Sequence, residues 1–189
     1  MISYLTDMDG VLHKEGSVIP GAKEFISTLR DEEIEFMVLT NNSMQTPRDL
    51  SAKLQRMGLD IEPERIWTSA TATAKFLSQQ AGEASAYVIG EAGLTTALHE
   101  IGWILTDADP DFVVLGETRT YSFEALTTAS NLIRRGSRFI ATNPDLTGPG
   151  PNGVVPATGS VAAMITAVTG MEPYYAVSYT HLRAHETLR

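Results

Sequence analysis

The chain contains no cysteine. Disulfides and thiolate metal sites are therefore excluded, and a reducing compartment suits it. It also has no apolar run approaching the roughly 18 residues of a membrane helix. No basic segment or signal-length apolar run opens the sequence, and Asp7 arrives early. The expectation is a soluble, cytoplasmic protein. Basic residues are scarce: 14 Lys and Arg stand against 23 Asp and Glu, for a net charge of −9. Nucleic-acid backbones and anionic membranes demand clusters of Lys and Arg, so neither a nucleic-acid polymer nor a membrane is expected as a partner. A small phosphorylated molecule is compatible, especially with a cation between. Repeats and low-complexity tracts are absent too. What is present, 189 residues with 43% hydrophobic content, is enough for one sizeable core or two modest ones.

The pattern alternates strand and helix. Ile2 to Thr6 predicts a buried strand, Asp9 to Pro20 irregular chain, and Gly21 to Glu32 a helix with Ala22, Phe25, Ile26 and Leu29 on one face. Glu35 to Leu39 (EFMVL) is nearly all apolar, as in a parallel strand covered on both faces. Thr46 as N-cap, Pro47 at the first helical position and Gly58 as a stop delimit a helix with Leu50, Leu54 and Met57 inward. Ile66 to Thr68 is a short strand and Ser69 to Ala81 a helix. Near Gly82 the pattern restarts. Strands are predicted at Ala86–Ile89, Phe112–Leu115 and Arg138–Ala141, and helices at Leu94–Ile101, Phe123–Arg134 and Val161–Val168. The class is α/β with mainly parallel sheets. Thr142 to Gly159 reads as a long Gly/Pro-rich loop, and structureless loops of that length are usually functional. Gly90 and Gly93 are wrongly spaced for a dinucleotide fingerprint and read as helix caps.

The first strand runs into two aspartates, YLTDMDGV, with Asp7 and Asp9 one residue apart. Such a pair repels itself unless a cation or phosphate chemistry faces it. One reading is an Asp-Gly turn after a strand. The other is a site, because open α/β sheets bind ligands at the carboxyl ends of their strands. The next strand ends in Thr40, Asn41 and Asn42, about one βαβ unit later. Adjacent parallel strands would present both groups at one edge. Thr40 offers a hydroxyl and Asn41 an amide, donors suited to phosphate oxygens; a plain helix-leading loop is the alternative.

DMDGV after one strand and LTNNS after the next resemble the haloacid dehalogenase-like hydrolases. SATATAKFL, YVIGEAGL, DFVVLGETRTY, FIATNPD and ATGS extend the likeness to about residue 176 and are similar to the NagD-like phosphatase subgroup. The resemblance implies a partial Rossmann-like parallel-sheet core with an inserted α/β cap: residues 1–81 core, 82–176 cap, and 177–189 a tail foreign to the family. It implies Asp7 as a nucleophile that forms an aspartyl-phosphate and Asp9 as general acid, then base. Mg²⁺ would be held by the Asp7 carboxylate and the Asp9 main-chain carbonyl. Thr40, Asn41 and Asn42 would bind phosphate, and Asn143 and Asp145 of the cap would face the substrate; an Asn-Pro-Asp turn holding its own backbone is the other reading of the latter two. His13 and Lys14 fall in the expected flap, where Lys14 is either a phosphate contact or solvated charge. The substrate would be a small phosphate monoester of nucleoside monophosphate or sugar phosphate type, and the resemblance leaves a homo-oligomer through the cap open.

The sequence departs from that pattern in one respect. It contains no Gly-Lys and no Gly-Asp dipeptide, the two later motifs that would balance charge and complete the magnesium ligands. The expectation is that about the last third of a NagD-like chain is missing and that this chain is inactive. His181 and His185, four apart, make only an incomplete metal site. Dehalogenases lack the second aspartate and transport ATPases carry Thr there, so Asp9 favours phosphoester chemistry. A non-catalytic binding fragment is the competing reading.

Overall fold

The computed structural model describes residues 3–14, 16–150 and 153–176. The tail, with His181 and His185, lies outside the described residues. The chain begins with β1 (Ser3–Asp7), a two-stranded ribbon of β2 (His13–Lys14) and β3 (Ser17–Val18), and α1 (Ala22–Asp31). β4 (Glu35–Thr40), α2 (Pro47–Arg56), β5 (Ile66–Thr68) and α3 (Ser69–Gln80) follow. β1, β4 and β5 form a parallel three-stranded sheet in that order, with Asp7 opposite Leu39 and Thr40 opposite Thr68. α1 and α2 close it with Ile26, Leu29, Leu50 and Leu54. α2 starts at a reciprocal capping box: the Thr46 hydroxyl accepts from the Asp49 N–H while the Asp49 carboxylate accepts from the Thr46 N–H.

The second half supplies β6 (Ser85–Ile89), α4 (Ala92–Glu100), β7 (Ile104–Leu105), β8 (Phe112–Leu115), α5 (Phe123–Arg135) and β9 (Arg138–Ala141). It ends with the hairpin β10 (Thr147–Gly150) and β11 (Gly153–Pro156), then α6 (Thr158–Thr169) and β12 (Tyr174–Tyr175). Five parallel strands make one sheet in the order β12-β9-β8-β6-β7. Alternation along β8 explains its layers. Phe112 and Val114 pack with α3, α4 and Trp103; Val113 and Leu115 pack with α5 and α6.

Four expectations change. β1 is largely exposed rather than buried, because among the described residues it is an edge strand paired only with β4. The stretches 9–20 and 142–159 are not structureless; each carries a two-stranded ribbon. Gly/Pro composition hid β10–β11, whose two open edges tolerate proline. Two-residue strands such as β7 and β12 are too short to show a period. Phe25 lies at the rim of α1, edge-on to Tyr4 with centroids 5.9 Å apart. The apolar clusters change over between Ile66 and Ala70, ahead of the division expected after residue 81, because Ala70, Ala74 and Leu77 of α3 pack with the second sheet.

The two halves meet at the turn Ser43–Gln45. Glu91 occupies the N-cap position of α4, so Gly93 is inside the helix, and its role is contact. Its N–H donates to the Met44 carbonyl at 2.9 Å, and a Cβ there would stand 2.6 Å from the Gln45 carbonyl oxygen and 2.7 Å from that of Ser43. Alanine would gain about 1 kcal/mol of helix propensity. It would also force two main-chain carbonyls apart, an overpacking cost of about 1–3 kcal/mol. Gly93→Ala should therefore lower the melting temperature; an unchanged or raised value in a thermal melt would show that this contact carries no strain-sensitive packing.

Candidate active site

The parallel register brings the carboxyl ends of β1, β4 and β5 to one edge. One Asp7 oxygen accepts from the Met8 N–H at 2.8 Å, which fixes the carboxylate beside its own strand. Met8 and Leu12 are buried and anchor the turn beyond, where the Leu12 N–H donates to the Met8 carbonyl. Gly10 takes φ +83° there, a left-handed conformation that suits glycine. The turn returns Asp9 to the sheet edge: the buried Thr40 hydroxyl donates to the Asp9 carboxylate at 3.2 Å and accepts from the Asn42 N–H at 3.1 Å.

His13 sits on the other side of Asp9, its Nε2 3.5 Å from a carboxylate oxygen. The ribbon turns His13 inward and leaves Lys14 exposed, so only Lys14 behaves as solvated flap charge. Burial pushes the His13 imidazolium down; Asp9 opposes that shift and Lys53 adds to it. A neutral ring is the expected form at pH 7, and the contact with Asp9 is not a full ion pair.

The asparagines separate by role. The Asn42 side-chain oxygen accepts from the Met44 and Gln45 N–H groups at 3.0 and 2.8 Å, so it builds the docking turn. The buried Asn143 oxygen accepts from the Asp145 N–H at 3.1 Å, the self-holding turn. Asn41 and Asp145 instead reach across: the Asn41 amide donates to the Asp145 carboxylate at 2.6 Å. Asn41 is steadied by Ser69, whose hydroxyl donates to its carbonyl, and Asp145 by α6, where the Gly159 N–H donates to its carbonyl. Asp7, Asp9, Thr40, Asn41 and Asp145 thus gather at this edge. Two surface hollows, at Asp109–Arg138 and Lys23–Asp60, lie elsewhere.

Sequence reasoning passed over Ser43 and Glu117. Ser43 is fully buried and its hydroxyl accepts the Glu117 N–H at 2.9 Å, pinning the loop after β8 to the core. Burial pushes the Glu117 carboxyl up; Arg119 opposes that, and Asp9 and Asp145 add to it. The signal available was position, a polar residue just past the carboxyl end of an apolar parallel strand.

The donors at this edge are oxygens, the hard ligands that Mg²⁺ selects, and such an ion keeps waters and binds through one or two carboxylates plus substrate phosphate. Asp7 and Asp9 fit that chemistry. Among the described residues no group of three His, Cys, Asp or Glu is placed to hold a metal.

Glu117 gives a pH prediction. Its folded-state pKa is raised, so the folded chain holds this proton more tightly than the unfolded chain, and stability falls as pH rises through the carboxylate range. Glu117→Gln should raise the melting temperature at neutral pH, with the gain fading as pH is lowered through that range. Melts at a series of pH values test this, and a gain independent of pH would contradict it.

Comparison with known proteins identifies the family. The family described as haloacid dehalogenase-like hydrolase matches residues 4–104. The dihydroxyacetone phosphatase of Corynebacterium glutamicum (strain R) is 74% identical over 92% of this chain and 63% of its own length. The ribonucleotide monophosphatase NagD of Escherichia coli (strain K12) is 40% identical over 92% of this chain and 68% of its own length. The crystal structure of a 4-nitrophenylphosphatase from Thermotoga maritima aligns with a TM-score of 0.89 at 34% identity, covering 97% of this chain and 71% of that one. The chain therefore spans about two thirds of the length of these relatives. It belongs to the haloacid dehalogenase-like hydrolases, in the NagD-like group.

Proposed function

We propose that this chain carries the nucleophile, the acid–base residue and the cap of a magnesium-dependent phosphatase of small phosphate monoesters. The observation that supports this most directly is the Thr40–Asp9 hydrogen bond of 3.2 Å beside Asp7, which joins the first two motifs in one site. In this reading an Asp7 oxygen attacks phosphorus, and the ester oxygen leaves with the proton of Asp9, giving an aspartyl-phosphate and a free alcohol. Asp9, now a carboxylate, takes a proton from water as that water attacks phosphorus; phosphate leaves and Asp7 is regenerated. The Thr40 hydroxyl and the Asn41 amide donate to phosphoryl oxygens as charge shifts onto them. The Asp7 carboxylate and the Asp9 main-chain carbonyl would hold Mg²⁺, which when bound offsets the negative charge of nucleophile and phosphate.

The N–H of the Asn41 amide that Asp145 engages is not free for phosphate, although the amide has a second N–H. Substrate entry then exchanges the 2.6 Å contact for a phosphate contact on Asn41 and frees Asp145 to accept from a substrate hydroxyl. A small hydroxylated organic part fits that exchange. The 74% identity to a dihydroxyacetone phosphatase makes dihydroxyacetone phosphate the first substrate to test, with sugar phosphates and nucleoside monophosphates beside it. A cysteine-free chain suits a reducing cytoplasm.

The test is phosphate release from that panel, with Mg²⁺ and with chelator. The 189-residue chain, with one carboxylate and one main-chain carbonyl at its metal site, should turn over slowly or not at all. A version continued from residue 176 with the C-terminal third of a relative should hydrolyse monoesters only with Mg²⁺. In that version Asp7→Asn should lower the rate by about 10⁴-fold or more. Rapid hydrolysis by Asp7→Asn would end the reading, and no hydrolysis by the continued chain would favour a binding role. Asp145→Ala there should raise KM more than it lowers kcat, since the residue meets substrate away from phosphorus.

A further inference from the structure

His13 is 4% exposed, and neither of its ring nitrogens has a hydrogen-bond partner among the described residues. Buried polar groups are normally paired, so an unpaired imidazole beside the acid–base residue calls for a reason. The backbone fixes where the ring stands. The His13 N–H donates to the Met8 carbonyl at 3.3 Å, and the Gly10 N–H donates to the His13 carbonyl at 2.8 Å. Both neighbours of Asp9 are thus tied to His13. Nε2 is left 3.5 Å from Asp9 Oδ1, close but not aligned for a hydrogen bond. The other Asp9 oxygen, Oδ2, accepts from the Thr40 hydroxyl. Among the described residues that is the one hydrogen bond on a carboxylate whose side chain is 62% exposed. Thr40 has a single hydroxyl proton to give. When it turns to a phosphoryl oxygen, Asp9 loses its donor as it has to act.

We propose that His13 is the positioning residue of Asp9: the imidazole donates its Nε2–H to Oδ1 once Thr40 has turned to phosphate, which leaves Oδ2 as the oxygen that carries the transferable proton. The role rests on the phosphatase chemistry of Asp7 and Asp9. The proton count of that chemistry is unchanged. The ring keeps its proton throughout, Oδ1 only accepts, and Oδ2 gives its proton to the leaving ester oxygen and afterwards takes one from water. Donation uses the neutral ring, the form that burial favours and that the Lys53 charge on α2 favours too. Nδ1 has no partner among the described residues to select the opposite tautomer, so the Asp9 contact decides it. A movement of a few tenths of an ångström completes the bond, and hydrogen bonds of this kind are often long before substrate binds and tighten with it.

Two measurements test this. In the 189-residue chain, long-range proton–nitrogen correlation by NMR reads the His13 tautomer, with His13→Phe identifying its signals among the four histidines. The Nε2–H form is expected at neutral pH, and Asp9→Ala should leave a mixture of both forms. In the version continued past residue 176, His13→Phe keeps a ring of similar size and removes the donor. Its kcat/KM on an alkyl phosphate should fall roughly 10-fold, a part of what general acid catalysis supplies. On 4-nitrophenyl phosphate, whose leaving group departs without a proton, the loss should be less than about twofold. His13→Gln, which sets an amide N–H near the place of Nε2, should recover most of the alkyl phosphate rate; His13→Asn, which reaches only as far as Nδ1, should not. An Nδ1–H tautomer, equal losses on both esters, or a loss that Gln does not recover overturns the proposal. An active parent whose His13→Phe variant is unimpaired on both esters overturns it and leaves the phosphatase reading standing. An inactive parent ends that reading and this role with it, whatever the tautomer.

Discussion

Everything at the candidate active site depends on the parallel pairing of β1 with β4 in one register. With Asp7 opposite Leu39, both strands expire at the same edge, and the turn through Gly10 brings Asp9 back to the Thr40 hydroxyl. A slip of one residue would turn Asp7 and Thr40 to opposite faces. Alternate residues of β4, Phe36 and Val38, are buried under α1 and α2, so the register is held by apolar burial rather than by the polar groups that use it. Two like charges at one edge are tolerated because Asp9 accepts the Thr40 hydrogen bond and both acids keep access to solvent.

The second constraint is the seat of the Ser43–Gln45 turn. Gly93 and Gly116 leave room for it, and Ser43 takes the Glu117 N–H. The turn lies just beyond Asn41 and Asn42, so the joint between the halves and the polar end of β4 are one continuous stretch of chain. Asn42 serves the joint and Asn41 the site. The Asn41–Asp145 contact spans the same seam, and any opening of the second half away from the first sheet has to break it. Glu117, held on that seam, adds a half-buried carboxyl that feels the charges of Asp9 and Asp145, which makes the edge acidic.

Much of this was legible in the residues. The alternation of EFMVL and FVVL with amphipathic helices identified parallel strands, and the Thr46-Pro47-Asp49 signal located α2 within a residue. DMDGV and LTNNS marked the strand ends where chemistry collects. Less was legible where local pattern and tertiary context disagree. β1 reads as buried from its apolar residues but is an edge strand, since period carries no information about how many neighbours a strand has. His13 reads only as a member of the flap but is buried, since a two-residue strand decides which way a side chain turns. Gly93 reads as a cap, because a close approach by a distant turn leaves no trace in its own neighbourhood.

The sequence by itself determined the α/β class, the order of elements, the paired aspartates and the donors that follow the second strand, because these follow from short-range periodicity and residue chemistry. Only the tertiary structure decided which asparagine reaches the site and which holds a loop. It also decided that α3 packs with the second half and that Ser43 and Glu117 join the two halves. Each of these rests on contacts between residues far apart in the chain, and a contact of that kind is set by how whole elements pack, not by the residues on either side of it.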